Sequence, residues 1–163
     1  MKKICLICGP GGHLDEMLSL IDVFKGTDFF FMTVDATTSI NLGVIARTYY
    51  FRNRFPYGDK ITQIKVLFFT FFYLILISVA QFRILLKERP SIIVTTGGDE
   101  TIPACYIGKI LGAKIICVES ITRIYYPSGT GRILYPISDL FLVQWESLLK
   151  KYGKRARYFG RIL

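Results

Sequence analysis

The chain has few of the residues that bind metals or form disulfides. It contains one histidine and four cysteines among 163 residues. Cys5 and Cys8 have the spacing of a ligand pair, but they lie in an apolar run before a glycine turn, and no second pair stands at zinc-site spacing. We therefore interpret the cysteines as buried thiols of a reducing compartment, and we expect neither a metal nor a cofactor.

The chain also lacks the sequence features of secretion, disorder and common nucleotide sites. The apolar run after Lys3 ends at Cys8, which is too short for the core of a signal peptide. No stretch is depleted of apolar residues and no repeat is visible. Because 163 residues can bury the core of one domain but hardly two, we predict a single domain over residues 1–163. The glycine turn before His13 lacks both the Gly-Lys-Ser/Thr ending of a P-loop and the spacing of the dinucleotide fingerprint.

Acidic residues are scarce, since 12 Asp and Glu stand against 21 Lys and Arg, for a net charge of +9. Such a chain attracts anionic partners: a phospholipid surface, a phosphorylated substrate or nucleic acid. Basic residues bracket the longest apolar run, which favours a bilayer surface, and nucleic acid is not expected as a partner. They are Arg47, Arg52, Arg54, Lys60 and Lys65 before the run, and Arg83, Lys87 and Arg89 after it.

The apolar run from Val66 to Phe82 holds 17 residues without a formal charge. We predict a membrane-associated helix over about residues 64–88, ended by Pro90. A full membrane span is rejected, because strands of one sheet would then lie on opposite sides of the bilayer. Only Thr70 and Ser78 interrupt the apolar residues, which favours a helix lying in the membrane interface, with packing in the core as the alternative.

Short apolar strands alternate with helices along the rest of the chain. Helices are expected from the glycine turn to Phe24, from Ile102 to Leu111, and from about Glu146 to Lys151. The alternation predicts an α/β fold with a Rossmann-like parallel sheet and helices on both faces. The expected strands are Ile4 to Cys8, Phe29 to Val34, Tyr49 to Phe51, Ile92 to Val94, Lys114 to Val118 and Leu140 to Val143.

Glycine-rich or polar segments follow several of these strands, at the edge where parallel sheets bind ligands. Glycine turns let backbone N–H groups approach an anion, and the lone His13 is suited to act as a base, a phosphate donor or an orienting group. Glu119 directly follows an apolar strand, where a carboxylate is costly unless it is paired or used. The segments are Gly11-Gly12-His13, Thr96 to Glu100, Glu119-Ser120 and Ser128 to Gly131.

Each of these features also has a structural interpretation. His13 could cap or pack, and the acids after Gly98 could be helix-start charges. Arg123 could form an ion pair with Glu119, and Ser128 could cap a helix. The residues alone therefore leave the function of this edge open.

Taken together, the motifs resemble a known family. The resemblance is carried by the glycine-histidine turn with Glu16-Met17, the second glycine loop at Thr96 to Glu100, the segment from Glu119 to Trp145, and Tyr158-Phe159-Gly160 at the end. With these features the chain resembles the Alg-fourteen-like oligosaccharide biosynthesis family, in its bacterial PssD/CpsF-type branch. More distantly, the glycine turns are similar to the N-terminal domain of MurG. The resemblance implies the N-terminal half of a GT-B glycosyltransferase.

The resemblance also implies a function. It suggests a membrane-associated, acceptor-binding subunit that, only together with a nucleotide-sugar-binding glycosyltransferase subunit, transfers a hexosyl or uronosyl group to a polyprenyl-diphosphate-linked saccharide in capsule or exopolysaccharide synthesis. The expected location is the cytoplasmic face of the plasma membrane. A non-catalytic scaffold that recruits and activates the catalytic subunit is the alternative.

Within that reaction, His13 and Glu119 are the candidates for the base that deprotonates the acceptor. The residues expected to bind the acceptor or its phosphates are Gly11, Gly12, Gly97, Gly98, Glu100, Arg123, Ser128 and Thr130.

Overall fold

The structure, a computed structural model, describes residues 2–35, 41–52 and 63–162. Its centre is a parallel sheet that, within those residues, has seven strands in the order β3-β2-β1-β4-β5-β6-β7. The strands are β1 (Lys3–Cys8), β2 (Asp28–Asp35), β3 (Thr48–Arg52), β4 (Ile92–Thr95), β5 (Lys114–Val118), β6 (Leu140–Val143) and β7 (Ala156–Tyr158). The predicted Rossmann-like fold is confirmed, and β7 is an additional short strand.

Helices connect the strands and cover the sheet. They are α1 (Gly12–Ser19), α2 (Gln63–Glu88), α3 (Thr101–Ile110), α4 (Gly129–Leu134) and α5 (Leu149–Tyr152). The first helix is shorter than predicted, because the chain leaves the α-helix after Ser19 and continues as a separate 3₁₀ turn over Ile21–Phe24. That turn still buries Phe24, which explains why the apolar spacing continued past the end of the helix.

The core lies on both faces of the sheet. Alternate residues of β1 point to opposite faces, so Cys5 and Ile7 pack in one apolar cluster and Leu6 and Cys8 in the other. This two-sided burial is the reason that the strands are continuous apolar runs rather than alternating ones. All four cysteines are free and buried, as expected.

Helix α2 is apolar on two sides with different environments. Ile77 and Leu85 are buried in the apolar cluster on one face of the sheet, Gln81 is also buried, and α2 packs on α3. The opposite side is exposed to solvent and carries an apolar stripe, the α2 stripe, formed by Ile75, Leu76, Val79, Phe82 and Leu86, whose exposed fractions are 42–48%. The described part of α2 therefore packs in the core on one side and leaves an apolar side exposed, and its contact with a membrane stays a prediction.

The described residues contain no helix that is both long and apolar enough to span a bilayer. Four phenylalanines of the apolar run, Phe68, Phe69, Phe71 and Phe72, lie outside the side chains that the structure describes.

The C-terminal residue of α2, Glu88, ties the helix to the amino-terminal edge of the sheet. Its buried carboxylate accepts hydrogen bonds from Lys3 Nζ at 2.8 Å, Arg47 Nη1 at 3.0 Å and Tyr49 Oη at 2.5 Å. Burial alone would raise the pKa of Glu88, but these donors outweigh it and lower the pKa from 4.5 to about 2. Glu88 therefore links β1 and β3 to α2, the helix that connects β3 to β4 along the chain.

Candidate functional site

Two glycine turns meet at the carboxyl edge of the sheet. Gly9 N donates a hydrogen bond to Gly97 O at 2.8 Å, which joins the loop after β1 to the loop after β4. A Cβ on Gly98 would lie 2.8 Å from both the N and the Cα of Gly9, and Gly98 has a φ of 104°. Glycine is required at position 98 for two reasons: a side chain would prevent the close approach of the two backbones, and the positive φ disfavours any other residue.

His13 is fixed between these turns, in the first turn of α1. Its Nδ1 lies 2.9 Å from Thr96 O, and Thr96 Oγ1 donates to His13 O at 2.6 Å. A carbonyl oxygen only accepts, so Nδ1 carries the proton in the neutral ring and Nε2 has the free electron pair. About a third of the side chain, 34%, remains accessible. The ring is thus held in one tautomer with its basic nitrogen left for a ligand.

Glu16 lies one turn further along α1 and connects α1 to the loop after β5. Its Oε1 accepts hydrogen bonds from Ser120 Oγ at 2.9 Å and from Ile121 N at 2.7 Å. The side chain is 2% exposed, and its Oε2 lies 4.0 Å from His13 Nδ1. From the sequence, Glu16 was singled out only as one of the residues that carry the family resemblance.

Glu119 is saturated with hydrogen-bond donors. Its carboxylate accepts from Ser120 N, from Ser128 N and Oγ, the latter two at 3.1 Å, and from Tyr152 Oη. Burial, followed by the contact with this carboxylate, raises the pKa of Tyr152. Within the residues that the structure describes, Glu119 forms no ion pair with Arg123. The side chain of Arg123 is exposed. The suggested ion pair is therefore wrong, and hydroxyl and amide donors take its place.

Residues near the end of β6 hold the loop after β5 in position. Gln144 Nε2 donates to Glu119 O at 3.1 Å, and Trp145 Nε1 donates to Ile121 O at 2.7 Å. Ser128 caps α4, since its Oγ accepts from Gly131 N at 2.8 Å. Much of the segment from Glu119 to Trp145 thus has a structural role in shaping this loop.

These elements enclose a cavity of about 660 Å³ at the carboxyl edge of the sheet. Of the predicted site residues, the structure brings eight to its wall and leaves out Gly11 and Glu100. Burial raises the pKa of Glu100, whose carboxylate packs against Gly98 rather than lining the cavity. The eight are His13, Glu119, Gly12, Gly97, Gly98, Arg123, Ser128 and Thr130.

The cavity wall also holds polar residues that were not predicted as site residues. Asp15, Glu16 and Thr122 lie outside the predicted ligand-edge segments, whereas Asp99 and Ser120 lie within them but had no role assigned. Asp99 Oδ1 accepts a hydrogen bond from Thr130 Oγ1 at 2.8 Å, which joins the second glycine loop to α4. One signal was available for Glu16: it stands three residues after His13 on a helix, where side chains share a face.

The wall is more acidic than the protein as a whole. Four carboxylates line it, those of Asp15, Glu16, Asp99 and Glu119, against the single guanidinium of Arg123. Carboxylates accept hydrogen bonds from hydroxyl groups and repel phosphates. The wall therefore suits a polyhydroxylated ligand, and only the side near Arg123 suits an anion. The described residues contain no cluster able to hold a metal ion.

The fold is an α/β domain of the kind found in GT-B glycosyltransferases such as MurG. MurG from Acinetobacter baumannii superimposes with a TM-score of 0.72 at 11% identity, over 97% of this chain and 45% of that one. The chain thus spans less than half the length of that enzyme, and the likeness concerns the fold.

Sequence comparison gives the family. The chain matches the family described as "Oligosaccharide biosynthesis protein Alg14 like" over residues 4–162, and it belongs to that family. The UDP-N-acetylglucosamine transferase subunit ALG14 of Homo sapiens is 29% identical over 99% of this chain and 83% of its own length. The corresponding subunit of Candida albicans is 42% identical over 48% of this chain and 38% of its own length.

Proposed function

We propose that this chain is the acceptor-binding subunit of a two-component glycosyltransferase, active only with a nucleotide-sugar-binding subunit. The observation that carries the proposal is the cavity itself, where a histidine of fixed tautomer stands among carboxylates that suit sugar hydroxyls. Family membership supports the reaction class, and the relatives' names, each that of a transferase subunit, support a separate donor-binding partner. The names of the relatives make UDP-N-acetylglucosamine the first donor to test.

In the proposed mechanism, His13 Nε2 takes the proton of an acceptor hydroxyl. The acceptor oxygen then forms a bond to the anomeric carbon of the donor sugar, and the bond from that carbon to the nucleotide breaks on the partner's side. Thr96 O holds the ring by its Nδ1–H throughout. Glu119, whose oxygens are already occupied, positions the loop between β5 and α4 in this scheme and is not the base.

The cavity wall suggests which part of the acceptor it holds. We assign the wall near His13, Asp15 and Asp99 to the saccharide, because the exposed carboxylates of Asp15 and Asp99 can accept hydrogen bonds from hydroxyl donors. The diphosphate of a polyprenyl carrier is assigned to the side of Arg123. The loop that carries Arg123 also exposes Tyr125 and Tyr126, at 68% and 71%, and we assign these aromatic side chains to contact with the partner subunit.

The α2 stripe is the proposed membrane contact. Gln81 Nε2 donates to Glu100 O at 2.7 Å, so the turns of α2 before Gln81 lie beyond the end of β4, on the same edge as the cavity. Burying a large apolar side chain is worth about 1.5–3 kcal/mol, so the half-exposed stripe would contribute several kcal/mol in lipid. Exposed Arg83 and Lys87 would add attraction to anionic headgroups. That the membrane is a bacterial plasma membrane, with the protein on its cytoplasmic face, stays a prediction.

The decisive experiment compares the isolated chain with the assembled complex. We expect no transfer by the chain alone, transfer on co-expression with its donor-binding partner, and a loss of at least 100-fold in kcat for His13→Ala in the complex. Asp22→Asn, an exposed change on the 3₁₀ turn after α1, is the matched control and should leave kcat unchanged.

The scaffold alternative predicts a different result. A scaffold would retain partner binding and full turnover in the His13→Ala complex. Substantial transfer by the isolated chain would refute the two-component proposal itself.

A further inference from the structure

Glu16 is a buried carboxylate with one oxygen fully bonded and one without a donor. Ser120 Oγ and Ile121 N both donate to Oε1, which fixes the orientation of the group. Oε2 is equally buried and has no hydrogen-bond partner among the described residues. A buried carboxylate oxygen without a partner is costly, so it requires an explanation.

The unpartnered oxygen faces His13. The distance from Oε2 to His13 Nδ1 is 4.0 Å, close enough for electrostatic attraction but too long for a hydrogen bond, and the Nδ1 proton already points to Thr96 O. Glu16 therefore does not choose the tautomer of the ring. What it can supply is a fixed negative charge beside an imidazole that becomes positive only during the reaction.

We propose that Glu16 is a positioning residue that stabilises the His13 imidazolium formed when Nε2 takes the acceptor proton. The proposal rests on the proposed function, in which His13 is the base. The neutral ring gains little from the carboxylate, whereas the imidazolium gains the full attraction in a site partly closed to water. Stabilisation that increases as charge develops raises kcat rather than substrate affinity.

Other charged groups surround the same ring and must be separated from this effect. The Glu100 carboxyl, behind the second glycine loop, interacts electrostatically with His13. Asp15 from α1, Asp99 from the loop after β4, and Glu119 and Arg123 from the loop after β5 line the cavity. Among these, Asp15 offers the matched control, because it is exposed on the same helix turn and carries the same charge.

The kinetic test uses Glu16→Gln in the assembled complex. The glutamine oxygen can still accept from Ser120 and Ile121, so the variant removes the charge and keeps the loop contacts. We expect kcat to fall about 100-fold with KM within about twofold of the wild type. A raised KM at unchanged kcat would instead make Glu16 a substrate ligand and overturn the proposal, as would unchanged kinetics.

A spectroscopic test needs neither partner nor substrate, because His13 is the only histidine of the chain. In untagged protein labelled with ¹⁵N-histidine, the neutral ring should show the Nδ1–H tautomer. Glu16→Gln should keep that tautomer, because Thr96 O fixes the Nδ1 proton. Asp15→Asn, the matched control, should keep it as well. A change to the Nε2–H tautomer in Glu16→Gln alone would show that Glu16 chooses the position of the proton, and it would refute the proposal.

A second variant covers a failure of Glu16→Gln to fold. Ser120→Ala removes one of the two donors that fix the carboxylate and keeps its charge. A severalfold fall in kcat at unchanged KM would support the proposal, and an unchanged kcat would overturn it. The His13→Ala result distinguishes a failure of this inference from a failure of the proposed function. If the His13→Ala complex is inactive while Glu16→Gln is fully active, only the inference on Glu16 fails. If His13→Ala is active, the base assignment fails first.

Discussion

The Glu88 cluster allows a stability prediction with a defined magnitude. The folded state lowers the pKa of Glu88 from 4.5 to about 2, and each tenfold change in proton affinity corresponds to about 1.4 kcal/mol. The ionised carboxylate therefore contributes about 3 kcal/mol to folding at neutral pH. Because the folded pKa is the lower one, this contribution is present above pH 4.5 and is lost as the pH falls from 4.5 towards 2.

Glu88→Gln should remove that contribution. We expect the variant to be about 3 kcal/mol less stable at pH 7 in urea unfolding followed by circular dichroism, and the difference should shrink to less than half at pH 3. The control is Asp22→Asn, which breaks an exposed pair with Lys25 and should cost about 0.5 kcal/mol or less at either pH. A pH-independent loss in Glu88→Gln would refute the reasoning, because it would show lost packing rather than a lost charge.

Three further predictions concern backbone, buried bonding and membrane contact. Gly98→Ala should destabilise the fold by about 2–4 kcal/mol in urea unfolding, since its Cβ would strike Gly9, whereas Gly26→Ala, with a positive φ but open space, should cost only about 1 kcal/mol. Tyr152→Phe should lower the free energy of unfolding by about 1.5–3 kcal/mol, because it removes a hydrogen bond to the buried Glu119 carboxylate. An unchanged midpoint of urea unfolding would exclude that bond. Val79→Glu should reduce sedimentation with anionic vesicles at least tenfold, while Val44→Glu, at a more exposed apolar residue outside α2, should not; equal losses would argue against the α2 stripe.

The fold was predictable because each strand interior carries an unambiguous signal. A run such as Ile4 to Cys8 has to be buried on both faces, and the glycine turn behind it leads directly into a helix. The three-residue β7 escaped prediction because Arg157 interrupts it and its pairing with β6 is decided by tertiary contacts. Similarly, the spacing of apolar residues could not reveal that α1 ends at Ser19, since the following 3₁₀ turn buries Phe24 with nearly the same periodicity.

The site was predictable in location but not in chemistry. The carboxyl edge of a parallel sheet and its glycine turns follow from topology, which is why His13 and Glu119 share a cavity wall. The partners of a carboxylate depend on contacts between distant segments, such as Glu16 with Ser120 or Glu119 with Tyr152, and no local pattern contains them. The sequence therefore suggested an ion pair with Arg123 where the structure has hydroxyl donors, and it missed the orphan oxygen of Glu16.

The central position of β1 also has a consequence for the way the chain folds. One edge of β1 pairs with β2, which follows within about 20 residues, but the other edge pairs with β4, about 60 residues after β2 ends. At a synthesis rate of about 5–20 residues per second, that apolar edge stays open for roughly 3–12 seconds, while the long α2 is being made. The two glycine turns cannot join before β4 arrives, so the ligand cavity is assembled late. Folding should accordingly be slow for a chain of this size, and an unpaired β1 edge is the expected origin of aggregation during expression.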